Sequence, residues 1–102
     1  MDNWNLDALE VMHQPEESRF AAFYNGETAV VQYNERPNTL VFTHTEVPVA
    51  WEGKGVGSKM ARTALKWAEE LGKPVVPICP YMNAFIQRHP EIKVNLAPGF
   101  RR

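Results

Sequence analysis

The sequence predicts an α/β fold, a single mixed, mostly antiparallel sheet with two helices. Three observations carry that prediction. Two short runs rich in aromatic and β-branched residues flank Asn25-Gly26, the strongest two-residue hairpin signal. The apolar period then changes, with Val56, Met60, Ala64, Ala68 and Leu71 recurring at helical spacing. A short apolar run at 75–78 and a second helical pattern complete the order strands, helix, strand, helix.

In order along the chain, residues 1–7 read as a loose arm and 8–13 as a short strand, ended by Gln14-Pro15-Glu16-Glu17. Residues 19–24 and 27–34 form the antiparallel pair around Asn25-Gly26. Arg36-Pro37-Asn38 makes the next turn. Residues 39–47 are dense in β-branched side chains and form a third hairpin-connected strand, closed by Pro48. The helix spans 56–71 and stops at Gly72. Residues 75–78 return as a buried strand parallel to an earlier one, although Pro74 and Pro77 argue against a regular ladder. Met82, Phe85 and Ile86 place a helix over 80–88, stopped by His89-Pro90. Pro98-Gly99 and Arg101-Arg102 suggest a turn and a solvated tail.

The chain has 102 residues, so residues 1–102 are read as one domain with a thin core. A formal net charge of −1 argues against nucleic acid or an anionic membrane as the main partner. The apolar runs are too short to span a bilayer, and the acidic start (Asp2, Asp7, Glu10) does not resemble a signal peptide. One cysteine, Cys79, excludes an internal disulfide framework and a multi-cysteine metal site; no metal is expected. These features point to a cytoplasmic protein, monomeric or weakly dimeric.

The most informative motif is Gly53-Lys54-Gly55-Val56-Gly57-Ser58, between a strand and a helix. A helix opened by glycines leaves several N–H groups aimed at one spot, at the positive end of the helix dipole. Such a turn suits a phosphate or pyrophosphate. The spacing is neither the dinucleotide-binding G-x-G-x-x-G nor a P-loop. A plain flexible loop is the competing interpretation. Lys54 and Lys59 either add positive charge to this turn or are ordinary solvated lysines.

At this point four motifs are in register. Phe42-Thr43-His44-Thr45-Glu46-Val47-Pro48 precedes Trp51-Glu52 and the glycines, and Pro77-Ile78-Cys79-Pro80-Tyr81 and His89-Pro90-Glu91 follow. Together they resemble the small Gcn5-related N-acetyltransferase-like proteins, over about residues 8–92, with 1–7 and 93–102 as flanking arms. The resemblance implies a truncated acyl-coenzyme A N-acyltransferase fold. It implies acetyl-coenzyme A as cofactor, held by Gly53, Lys54, Gly55, Val56, Gly57 and Ser58, by the backbone near Thr45 and Val47, and by Asn83. The superfamily has Arg or Gln where this chain has Glu52, so backbone donors carry the pyrophosphate here.

The resemblance also nominates groups for chemistry. Cys79 is either a nucleophile that carries the acetyl group or a small packed residue. His44 and Glu46 share a strand face if the strand is regular, and they either deprotonate an acceptor amine or stabilise the sheet. His44 could also lower the pKa of Cys79. Tyr81 lies too near the strand, and His89 nearer the expected place, for the superfamily's proton-donating tyrosine; that role is unassigned. Trp67 is read as core, Trp51 as a lid or packing anchor, and Trp4 lies outside the resemblance. Two functions follow: transfer of an acetyl group to an unidentified amine, or binding of coenzyme A by a non-catalytic sensing module.

Overall fold

The computed structural model describes residues 5–102. Five strands form one sheet in sequence order: β1 (Met12–Gln14), β2 (Arg19–Tyr24), β3 (Glu27–Glu35), β4 (Leu40–Glu46) and β5 (Val75–Pro77). The first four pair antiparallel, and β5 returns parallel to β4 through α1 (Val56–Leu71). After β5 comes α2 (Pro80–Arg88). This is the mixed sheet with two helices that the sequence predicts.

Local chemistry sets the elements. Asn25 and Gly26 both adopt positive φ, at 54° and 79°, which the two-residue turn between β2 and β3 requires. Gly72, at φ 73°, ends α1 in a left-handed cap and donates to the carbonyls of Ala68 and Glu69. Pro74, just before β5, and Pro77, its last residue, do not break the ladder. Pro74 lacks only a donor, and its carbonyl accepts from Leu40 N–H at 2.9 Å.

Both helices bury their apolar stripes in one cluster with alternate sheet residues. Met60, Leu65, Met82 and Ile86 meet Phe20, Val31, Leu40 and Phe42 there. The other sheet face carries a cross-strand row of polar residues, Gln14, Arg19, Gln32 and His44. Trp67 is partly buried against His13, Phe20 and Tyr33, with ring centroids 4.5, 5.5 and 4.7 Å away. Trp51 is buried with its ring against Tyr24, so it is a packing anchor and not a lid.

Two stretches differ from expectation. The first strand is shorter and later than 8–13, because Leu6–Ala8 forms a 3-10 turn capped by Asn5, whose side chain accepts from Asp7 N–H. Leu6 packs on the core, and Lys59 Nζ donates to the carbonyls of Leu6 and Leu9, so residues 5–9 are not a loose arm. Trp4 and the rest of residues 1–4 lie outside the described residues. At the other end, Leu96 bridges Val75 in parallel and Ala97 is buried, so the tail begins later than expected. Among the described residues, no helix is long and apolar enough to cross a membrane.

Candidate active site: a notch beside strand β4

β4 changes character halfway. Gln32 pairs with His44 and Tyr33 with Phe42, so Thr43 is an extra residue, a β-bulge. The ladder to β5 ends at Phe42 opposite Pro77, closed by Cys79 N–H donating to Phe42 O at 2.9 Å. Beyond that point β4 pairs only with β3. The β5 side of residues 43–46 is therefore an open strand edge, with Cys79 where the two strands part.

The Gly-rich turn follows β4. Gly53 and Gly55 take φ of 76° and 82°, a backbone that side chains disfavour. Gly55 is the N-cap of α1 and no side chain caps the helix. The first N–H groups of an α-helix have no intrahelical partner, so those of Val56, Gly57 and Ser58 form a donor cluster. Gly57 has a packing reason as well. A Cβ there would lie 2.5 Å from Tyr81 Oη. The phenol of Tyr81 thus rests on the first turn of α1. Burial pushes its pKa up, with Cys79 adding to the rise and Arg88 opposing it.

Cys79 is the N-cap of α2 and is 2 % exposed. Its Sγ donates to Thr45 Oγ1 at 3.3 Å. Thr45 lies opposite Val31 on the core face, whereas His44 lies opposite Gln32 on the polar face. His44 and Glu46 do share that face, Nε2 to Oε1 being 3.8 Å, and both are exposed. The structure therefore brings His44 to Glu46 and Cys79 to Thr45. It does not bring His44 to Cys79, because the alternation of side chains puts them on opposite sides of the sheet.

The remaining candidates are distributed around the notch. Val47 packs partly buried against the core, and Asn83 is exposed on α2. Lys59 is turned to the carbonyls of Leu6 and Leu9, so its charge anchors the chain start. His89 is occupied elsewhere, with Nδ1 3.1 Å from Glu91 Oε2 and its ring 4.3 Å from that of Phe85. Tyr81, which the sequence places too near the strand for the proton-donating role, is the side chain that the structure sets on the first turn of α1. The signal available was a glycine, Gly57, in the first turn of α1, where a bulky neighbour from the next helix can rest.

Comparison with known proteins bears on the family of the sequence. The sequence profile of a family described as GCN5-related N-acetyl-transferase matches residues 19–95. Similar relatives include Protein NATD1 of Gallus gallus, 28% identical over 85 residues, which cover 80% of this chain and 77% of that protein. Protein NATD1 of Bos taurus is 29% identical over 85 residues, covering 80% and 75%. Protein NATD1 of Homo sapiens is 28% identical over 85 residues, with the same coverage.

Proposed function

The chain belongs to the GCN5-related N-acetyltransferase family, and from that premise we propose that it binds acetyl-coenzyme A in the notch and transfers the acetyl group to an amine. The observation that supports this most is the pair of contacts that sets Tyr81 on the uncapped start of α1 and Cys79 on Thr45, at the open edge of β4.

Each part of the notch has a fitting task. The N–H groups of Val56, Gly57 and Ser58 suit a pyrophosphate. The unpaired edge of residues 43–46 suits an extended amide-bearing arm, which would add to the sheet as a strand does. Bound acetyl-coenzyme A would supply an activated acetyl group and a thiolate leaving group. Tyr81, a phenol whose pKa burial raises further, rests on the start of α1 and can serve as the proton source. His44 and Glu46, on the polar face of the same strand, can take a proton from an amine that approaches from that side. Thr45 holds the Cys79 thiol in a bond to its hydroxyl. With a buried thiol and no histidine beside it, direct transfer is better supported than a covalent intermediate on Cys79.

A second reading, coenzyme A binding without transfer, draws on the same burial of Cys79 and on the wide exposure of His44 and Glu46. Thiol release from acetyl-coenzyme A separates the two. A transferase releases thiol faster when a polyamine or lysine-bearing peptide is added. Binding with no amine-dependent release across such acceptors would favour the sensing module.

A further inference from the structure

A second concave region lies at the opposite end of α1 from Gly55. A cavity of ≈ 400 Å³ is walled by the last turns of α1 and by the segment after Pro90. A second cavity, of ≈ 320 Å³, shares Leu65, Glu69, Ile92 and Lys93 with it, so the two form one groove. From Arg62 to Gly72 it follows roughly 15 Å of helix, at about 1.5 Å per residue.

Its charge is at odds with that of the whole chain. Arg62, Lys66, Lys73, Lys93 and Arg102 line it, against Glu69 alone, on a chain of formal net charge −1. Lys73 is paired with Glu35 at 2.7 Å and Arg62 with Glu91 at 3.5 Å. Arg102 keeps its charge, since its Nη2 donates to the uncharged carbonyls of His89 and Ile86. Lys66, Lys93 and Arg102 therefore leave a positive surplus over Glu69. Between the cations the floor is apolar, from Leu65, Ala68, Val75 and Ile92.

The wall is fixed in place. Val75 N–H donates to Asn95 O at 2.7 Å, and Ala97 N–H to Val75 O at 2.9 Å. Gln87 Nε2 donates to Arg101 O at 2.7 Å. A ligand would meet a preformed groove and would not have to order it.

We propose that this groove docks an extended acidic peptide segment of a partner protein, about four or five residues long at roughly 3.3 Å per residue. Alternating apolar and acidic side chains match its apolar floor and cationic rim. The length of the groove and the spread of its cations favour such a segment over a compact anion. The inference does not depend on acetyl transfer, and its test does not involve the notch.

The test uses a fluorescein-labelled peptide of alternating glutamate and leucine, titrated into the full chain and followed by anisotropy. Saturable binding is expected, weakening as salt rises. Lys66→Glu combined with Lys93→Glu should lower the affinity about tenfold or more, since attraction becomes repulsion at two exposed rim positions. The double variant should keep the parent's melting curve. An equal affinity for a lysine–leucine peptide would overturn the proposal. So would equal affinity for leucine-free polyglutamate, unchanged affinity in the double variant, or no binding at all.

Discussion

The two halves of β4 differ sharply. From Leu40 to Phe42 the strand is buried and has a partner on each side, β3 and β5. From Thr43 to Glu46 it has β3 alone, and only Thr45 turns toward the core. One extra residue, Thr43, stands at the boundary. The first half shows what holds the domain together. The second shows how a small domain leaves an edge free without losing its sheet: the anchoring is done a few residues earlier.

The largest expected effect is in the closed half. Phe42 is fully buried, and Phe42→Ala should destabilise by about 3–5 kcal/mol, read from urea unfolding. In a chain of this size that is a large share of total stability. A loss below about 1 kcal/mol would mean that the closed half is not the anchor.

Gly57→Ala sharpens the boundary between stability and function. The new Cβ would meet Tyr81 Oη at 2.5 Å, so a loss of about 1–3 kcal/mol is expected. Tyr81→Phe removes that oxygen and should recover part of the loss, because the next atom, Cζ, is at 3.0 Å. Melting curves of the two single variants and the double variant form the cycle. Purely additive losses would show that the two residues do not touch.

Cys79→Ala, at the point where the halves part, should destabilise by about 1 kcal/mol and leave coenzyme A affinity nearly unchanged. Incubation of the parent with acetyl-coenzyme A should give no hydroxylamine-labile acetyl mass, as direct transfer requires. Such an adduct, lost in Cys79→Ser, would restore the covalent route.

The smallest effect lies far from the notch. His13 is held below the usual imidazole range, by burial chiefly, with Glu16 and Glu35 opposing. Its ring stacks on Phe20 at 4.3 Å and its Nε2 is 2.6 Å from Tyr33 Oη. The unfolded chain then binds the proton more readily than the folded one. Stability from His13 is present above about pH 6.5 and is lost as pH falls through the lower folded value. Melting temperature should therefore decline on mild acidification, and less so in His13→Phe.

Much of the fold was legible in the sequence. Asn25-Gly26 fixed the first hairpin, and the four-residue spacing from Val56 fixed α1, whose bounds match. The notch was legible only in part. The glycines mark the donor cluster, since positive φ at Gly53 and Gly55 needs them. The bulge at Thr43 leaves no mark in residue type, because threonine suits either a regular or a bulged strand. A regular strand would put His44 on the face of Phe42, toward Cys79, whereas the bulge turns Thr45 there. At the ends, Leu6 and Leu96 pack through long-range contacts that a local pattern does not reveal.

The central claim is that the open half of β4 and the start of α1 together form a coenzyme A site. Calorimetric titration of coenzyme A into the parent and into Ser58→Glu tests it most directly. A carboxylate in the first turn of α1 favours the helix, by about 0.3–1 kcal/mol, and repels phosphate. The expected result is saturable binding by the parent, a variant that melts no lower, and an affinity weaker by about tenfold or more, equivalent to ~1.4 kcal/mol. Equal affinity in a variant of equal stability would contradict the account, as would a parent that does not bind coenzyme A.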